Sequence, residues 1–135
     1  MSTDSNKAKA LDLIERVNRH DVVALDEFTS NPAVLGSARG LIGAFPDLHA
    51  DVQWVVAEGD MVVVFFAFRG TQHGPWLFVQ EATARHVETS FMLAFRFGDD
   101  GQIVDQWLGS NFIEMFAQLG WGFAPVGEIA TPPGG

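Results

Sequence analysis

Hydrophobic and polar residues alternate along positions 91–111, FMLAFRFGDDGQIVDQWLGSN, and this pattern predicts two strands joined by a tight turn. Large apolar side chains recur at every second position from 91 to 97, which is the period of a β-strand. The Asp-Asp-Gly sequence at 99–101 supplies the turn, because Asp and Gly tolerate the left-handed backbone that short hairpins need. We therefore expect a hairpin here, with the rest of the chain packed around it.

The second strand of this hairpin carries a candidate pocket wall. Because successive side chains of a strand point to opposite faces, positions 105, 107, 109 and 111 are expected on one face and positions 104, 106 and 108 on the other. The acid Asp105 and the amide Asn111 would then flank the ring of Trp107, an arrangement suited to a small-molecule pocket. In the alternative interpretation, Trp107 belongs to the core and Asp105 is an edge-strand charge that discourages aggregation.

Helical periodicity precedes the strands. Apolar residues recur at helical spacing over positions 7–18, with Asp4 or Ser5 available as the N-cap. A second, short helix is predicted over 22–28. A third is predicted over 35–45, where three glycines each weaken the helix by about 1 kcal/mol relative to Ala. The chain is thus expected to open with three helical segments.

The remaining segments predict a sheet. Strands are expected at 51–57, 61–69, 85–97 and 102–110, with a loop or ragged hairpin at 75–84 and a short helix at 111–119. Both faces of 61–69 are apolar, so that strand is expected at the centre of the sheet and covered on both sides. Helices ahead of a strongly curved antiparallel sheet define an α+β cone, and small ligands bind in such apolar interiors.

Composition and charge narrow the classes of function. The 135 residues are enough for one domain, assigned to 1–121, and the tail at 122–135 is expected to be extended or disordered and dispensable for the fold. The net charge of -9 argues against nucleic-acid and anionic-membrane partners, which require clustered cations. No cysteine is present and the N-terminal sequence is polar, so a soluble, cytoplasmic protein is expected.

Several short motifs, in their order along the chain, resemble the SnoaL-like polyketide cyclases, a branch of the cone-shaped NTF2-like α+β fold. They are FPDL at 45–48, EGD and a β run at 58–64, GTQHG at 70–74, TARHVE at 83–88, RFGDDGQIVDQW at 96–107 and QLG at 118–120. The resemblance implies a fold that hosts several functions. Members typically close rings on polyketide intermediates without a metal or an organic cofactor, whereas others hydrolyse epoxides, isomerise substrates or only bind them.

The catalytic candidates are Asp105, Asn111 and His73. Asp105 matches the family's acidic position two residues before the Trp, and burial among Phe rings would suit it to general acid/base catalysis. Where the family usually has Asp, this chain has Asn111, which cannot exchange a proton near neutral pH but could donate a hydrogen bond to an enolate, or cap a helix. The family's loop His is displaced by one position to His73, which is either catalytic or solvated.

The candidates for substrate contacts are aromatic and favour an apolar ligand over a phosphate or a sugar, although each ring could instead belong to the core. They are Trp54, Phe66, Trp76, Phe91, Phe95 and Trp107. The His, Asp and Glu residues lack the spacing of a metal site, and no Gly-x-Ser-x-Gly elbow is present. We therefore expect neither a metal nor another cofactor, and no serine nucleophile.

These features predict an enzyme that closes a ring on an apolar polyketide-like intermediate in secondary metabolism. Either Asp105 removes a proton beside a carbonyl in an aldol-type closure, or the pocket folds a precursor into a reactive conformation for a cycloaddition or an ether closure. The alternatives are a non-catalytic binding module and an epoxide hydrolase or isomerase. A homodimer through the outer face of the sheet, with its apolar Met61, Met92 and Ala94, is also expected.

Overall fold

Helices α1 (Thr3–Asn18), α2 (Pro32–Ala44) and α3 (Phe112–Gln118) pack on a curved sheet of four antiparallel strands, β1 (His49–Glu58), β2 (Met61–Thr71), β3 (His86–Phe97) and β4 (Ile103–Ser110). A short 3-10 helix, Val23–Glu27, lies between α1 and α2. The computed structural model describes residues 2–122 and residue 125. The strand order is β1-β2-β3-β4, with β1 and β4 at the edges. The predicted α+β architecture is confirmed, whereas the predicted tail, apart from positions 122 and 125, lies outside the described residues.

The first two α-helices begin earlier than predicted because each has a capping side chain upstream. The Ser2 hydroxyl accepts a hydrogen bond from the Ser5 N–H at 3.0 Å, so α1 begins at position 3 rather than 7. The Asn31 carboxamide accepts a hydrogen bond from the Ala33 N–H at 2.9 Å. Pro32 fits the first helical position, where no N–H is needed, so α2 begins at position 32 rather than 35.

Two asparagine side chains attach the helices to the edges of the sheet. The Asn18 carboxamide at the end of α1 donates to the Ala50 carbonyl at 2.8 Å and accepts from the Ala50 N–H at 2.7 Å. At the other edge, the Asn31 carboxamide donates to the Val104 carbonyl at 2.7 Å. These bonds satisfy edge groups that could otherwise pair with another chain, and they hold α1 and α2 over the same face of the sheet. We call this covered face the inner face.

A β-bulge in β1 decides where Trp54 points. Val52 lies opposite Phe66, whereas Trp54 lies opposite Phe65, so Gln53 is one extra residue in β1. Such an extra residue reverses the alternation of the side chains that follow it. Trp54 therefore lies on the outer face, where its ring stacks on that of Phe65 with the centroids 5.1 Å apart.

A second bulge has the same effect in β4. Phe97 lies opposite Ile103, whereas Arg96 lies opposite Asp105, so Val104 is the extra residue. Ile103 is buried in the core, and strict alternation would place Asp105 on its face. Because of the bulge, Asp105 instead lies on the outer face beside Arg96.

Strand β2 is internal to the sheet but is covered on one face only in the described residues. Its inner-face side chains Val62, Val64, Phe66 and Phe68 are buried, whereas the alternating positions 61, 63, 65 and 67 are half-buried. The prediction of a strand covered on both sides is therefore wrong, since the three helices pack on the inner face. None of the helices in the described part of the chain is long and apolar enough to cross a membrane.

Candidate functional site

An apolar cavity lies between the inner face of the sheet and helices α1 and α2. The space in it that the centre of a water molecule can reach is about 50 Å³. Two polar side chains, Ser37 and Gln106, line this cavity, and none of the described residues in its wall is ionisable. The rest of the wall is apolar and consists of Leu13, Ile14, Val17, Ala38, Leu41, Leu48, Ala50, Phe66, Phe68, Trp76, Phe91, Leu93 and Leu108.

Aromatic rings from two neighbouring strands and one loop form part of this wall. The Phe68 and Phe91 centroids lie 4.8 Å apart, and the Phe66 and Phe91 centroids 5.6 Å apart. Trp76 lies against the same ring, with its centroid 6.3 Å from that of Phe91. Each aromatic pair contributes about 0.5–1.5 kcal/mol beyond its area burial. The rings therefore form a well-packed surface of defined shape.

The loop after β2 positions Trp76 through the buried side chain of Gln72. The Gln72 amide donates to the carbonyls of Gly74 at 2.8 Å and Glu81 at 3.0 Å. Its oxygen accepts from the Thr83 N–H at 2.9 Å and from the Thr83 hydroxyl at 2.6 Å. Both donors and both acceptor positions of this amide are thus satisfied. Gln72 therefore has a structural role, because it fixes the loop that places Trp76 in the cavity wall.

Gln106 supplies the amide of the cavity. It lies opposite Phe95 on the inner face of β4, and its Nε2 donates to the Ser37 hydroxyl oxygen of α2 at 3.1 Å. Within the described residues, its Oε1 accepts no hydrogen bond. A neutral hydrogen bond of this kind contributes about 0.5–1.5 kcal/mol, so a carbonyl or hydroxyl of a ligand can replace Ser37 as the partner. The pair is the polar anchor of an otherwise apolar site.

The six predicted aromatic contacts separate into three groups. Phe66, Trp76 and Phe91 line the cavity. Phe95 is fully buried in the core but is not part of the cavity wall. Trp54 and Trp107 lie on the outer face, with 41% and 52% of their surface exposed. The structure therefore brings three of these rings to the site and places two on the opposite face.

Asp105 does not face the cavity, and the expectation that it does is wrong. Its Oδ2 accepts a hydrogen bond from Arg96 Nε at 3.0 Å on the outer face, and its side chain is 40% exposed. The physical reason is the bulge at Val104, which reverses the faces of the residues that follow it. The same reversal turns Gln106 inward.

Asn111 and His73 also lie away from the cavity wall. Asn111 is the N-cap of α3: its Oδ1 accepts from the Glu114 N–H at 3.2 Å, and its Nδ2 donates to the Glu114 carboxylate at 3.0 Å. His73 is exposed, and its backbone N–H donates to the Ala44 carbonyl at 2.8 Å. The three catalytic candidates are therefore not brought together in one site.

Sequence reasoning missed Ser37 and Gln106 as site residues. The predicted alternation, with Gln106 on the face opposite Asp105 and Trp107, is confirmed, but the pocket lies on the Gln106 face and not on the Asp105 face, because nothing in the residue types identifies Val104 as a bulge. Ser37 lies in α2 between glycines, where a small polar residue is ordinary. The sequence did indicate another part of the cavity wall, because the apolar stripe of the first helix includes Ile14 and Val17.

The carboxyl group of Asp47, near the His73 loop, has a lowered pKa. Its Oδ1 accepts a hydrogen bond from the Thr71 N–H at 2.6 Å. This bond, more than the neighbouring charge of His73, holds the pKa of Asp47 below its ordinary value. The contact ties the segment before β1 to the end of β2.

Within residues 2–122 and 125, no three His, Asp or Glu side chains come together in an arrangement that could hold a metal ion.

The fold and the site together define a class of protein: a cone-shaped α+β domain with an apolar cavity between its helices and its curved sheet. A family model described as SnoaL-like polyketide cyclase matches residues 6–119. The chain belongs to this family, and the family supports a polyketide cyclase-type role.

Solved structures with similar folds carry several functional descriptions. AclR from Streptomyces galilaeus, a proposed hydroxylase, is 26% identical, with a TM-score of 0.73 over 88% of this chain and 98% of that one. IdmH from Streptomyces antibioticus, a proposed polyketide cyclase, is 27% identical, with a TM-score of 0.64 over 86% and 99%. An epoxide hydrolase from M. tuberculosis, 13% identical with a TM-score of 0.65 over 87% and 90%, shares the fold. A comparison with the curated proteins found no match.

Proposed function

We propose that this protein closes a ring on an apolar polyketide-like intermediate in secondary-metabolite biosynthesis, without a metal or an organic cofactor. The observation that carries this proposal is the cavity wall, which combines aromatic and aliphatic side chains with one amide–hydroxyl pair, Gln106 and Ser37. Such a wall suits an apolar chain with few oxygen atoms. It disfavours charged ligands, because an unpaired charge is costly to bury.

The composition of the wall favours closure driven by conformation. The described wall offers no ionisable group for proton transfer, so its contribution is to hold one part of a linear precursor in a reactive conformation. Holding two reacting ends together can supply several kcal/mol of the barrier. In this mechanism the rings of Phe68, Trp76 and Phe91 set the conformation of the part of the chain that enters the cavity. The Gln106 amide orients one oxygen of the substrate and stabilises charge that develops there.

An aldol-type closure with Asp105 as the base has less support. That route needs the carboxylate beside the carbon that loses its proton, whereas Asp105 does not line the cavity and is held in an ion pair with Arg96. Epoxide opening would meet the same difficulty, because it too needs acid/base groups beside the reacting atoms, and the described cavity wall has none. A binding module without chemistry would use the same cavity, so it must be separated from the cyclase by experiment.

Product analysis tests the proposed function. Linear polyene, polyether-type and poly-β-keto precursors are incubated with the protein, and the products are identified by mass spectrometry and NMR. We expect a cyclic product, and we expect Phe91→Leu in the cavity to slow its formation or change its stereochemistry. Phe78→Leu is the matched control, since Phe78 is 49% exposed and lies outside the cavity wall. Precursors that bind but are recovered unchanged would support the binding module.

We also propose that the protein is a homodimer through the outer face of the sheet. Side chains of four strands form two apolar rows across this face by direct cross-strand pairing: Val56, Val63, Ala94 and Trp107 in one, and Trp54, Phe65 and Met92 in the other. Four of them, Trp54, Val56, Met92 and Trp107, are between 41% and 53% exposed. A contiguous exposed apolar face of this kind supports a protein contact, and a second copy presents a matching face.

A further inference from the structure

A groove adjoins the cavity on the outside, between α2 and the edge of β4. Asn31, Ala33 and Val34 line it on the helix side, and Asp105 lines it on the strand side. Ser37, Gln106 and Leu108 line both the groove and the cavity. The hydrogen bond from Gln106 to Ser37 therefore lies at the junction of the two spaces.

The two spaces differ in size. The centre of a water molecule can reach about 300 Å³ in the groove and about 50 Å³ in the cavity. One water needs about 10–15 Å³ of such space, so the cavity has room for only a few atoms of a ligand. A chain long enough to close a ring on itself cannot fit there whole. The adjoining groove offers room for the remainder.

The two spaces also differ in chemistry. The described cavity wall is apolar except for the junction pair, whereas the groove is also lined by Asp105, a residue with a carboxylate. Arg96 occupies Oδ2 of this carboxylate and offsets its charge, while Oδ1 accepts no hydrogen bond within the described residues. An acceptor of this kind suits a ligand hydroxyl.

We infer that the groove is the outer half of the binding site and that the ligand is a hydroxylated apolar chain. Its apolar end occupies the cavity, its oxygen at the junction replaces Ser37 as the partner of Gln106, and its hydroxyl-bearing part lies along the groove beside Asp105. The inference deepens the proposed function and rests on it for the polyketide-like nature of the chain.

A pair of exposed helix alanines tests this inference. Ala33 lines the groove but not the cavity, so Ala33→Trp fills the outer half alone. Ala8→Trp is the matched control, because Ala8 is also exposed on a helix and lines neither space. Affinities are measured by calorimetry for hexanone, decanone and decanone with a terminal hydroxyl. None of these ketones is a precursor for ring closure, so their binding is measured independently of turnover.

The inference predicts that the native protein binds hydroxydecanone more tightly than decanone. It also predicts that Ala33→Trp weakens hydroxydecanone by about tenfold or more while hexanone changes by less than about twofold. Ala8→Trp should change neither affinity. The inference is overturned if the native protein shows no preference for the hydroxylated ketone, or if Ala33→Trp affects the short and long ketones equally. If this pattern of binding is found but no precursor gives a cyclic product, the groove is still the outer half of the binding site and the proposed function is refuted. If a precursor is cyclised and Ala33→Trp does not alter its turnover, the proposed function stands and the role of the groove is refuted.

Discussion

Asp105 and Gln106 are neighbours in the chain, yet their side chains lie on opposite faces of the sheet. Asp105 pairs with Arg96 on the outer face, whereas Gln106 donates to Ser37 at 3.1 Å beside the cavity. In the proposed mechanism, an amide rather than a carboxylate therefore contacts the reacting part of the substrate. The two residues therefore make separate predictions for the kinetics.

Replacing Asp105 with Asn should alter substrate binding more than chemistry. Because Asp105 faces the groove and not the cavity wall, we expect Asp105→Asn to raise KM by roughly two- to fivefold, the effect of weakening one hydrogen bond. We also expect kcat to be nearly independent of pH between about pH 6 and 8, the range in which a catalytic histidine would titrate. Steady-state kinetics across this range check both. A loss of about 100-fold in kcat, with a rate that follows one ionisation in the native protein, would restore Asp105 as a general base.

Replacing Gln106 with Leu should lower kcat/KM by more than Asp105→Asn does. Leu keeps a similar volume but cannot hold the substrate oxygen, so we expect kcat/KM to fall by roughly five- to tenfold, as for the loss of one neutral hydrogen bond. Gln53→Leu on β1 is the control, since Gln53 is exposed and lines neither the cavity nor the groove. Equal kinetics of the Gln106→Leu and native proteins would show that the amide is not an anchor.

The elements and architecture of this fold could be predicted from the sequence because they rest on local signals. The apolar alternation of 91–97 and the Asp-Asp-Gly turn locate the β3–β4 hairpin, and the Asn31-Pro32 pair marks a helix boundary. These signals depend on residues close together in the chain. They can therefore be recognised without knowing the tertiary packing.

The faces of the strands could not be predicted from the same signals. Gln53 and Val104 are ordinary strand residues, with neither the Gly nor the Pro that often marks a bulge, yet each reverses the alternation that follows it. Two of the three predicted tryptophan contacts, Trp54 and Trp107, lie beyond these positions. A bulge shows only in the register between a strand and its partner, so the side chains of the cavity wall become known only when that register is known.

The outer face should mediate dimerisation. Trp107→Glu places a charge in the apolar row formed with Ala94 and Val63, and burying that charge between two copies would be costly. We expect the native protein to be a dimer at micromolar concentration and Trp107→Glu to be a monomer, as measured by light scattering. Trp121→Glu should remain a dimer, because Trp121 is similarly exposed, at 46%, but packs against Phe78 away from this face. A monomeric native protein would refute the homodimer.

Asp47 should make part of the stability pH-dependent. The Thr71 N–H lowers the pKa of Asp47 in the folded state, so the carboxylate stabilises the fold above its unfolded pKa of about 3.9. This contribution is lost as the pH falls through the lower, folded value. We expect Asp47→Asn to lower the urea midpoint at pH 7 and the difference from the native protein to shrink progressively below about pH 4. A difference that is the same at pH 3 and pH 7 would mean that the charge of Asp47 contributes nothing.

Two glycines of α2 should be replaceable at a gain in stability. A Cβ built at Gly36 or Gly40 would meet no heavy atom within 4 Å, and both positions lie inside the helix Pro32–Ala44. Ala loses less backbone entropy than Gly on folding, so each Gly→Ala change should raise the free energy of unfolding by about 0.5–1 kcal/mol. Urea denaturation of the single and double variants measures this. Gly74→Ala is the contrasting control, because its Cβ would lie 2.8 Å from the Gly43 carbonyl oxygen and should destabilise the fold. Destabilisation by Gly36→Ala and Gly40→Ala as large as that by Gly74→Ala would contradict this prediction.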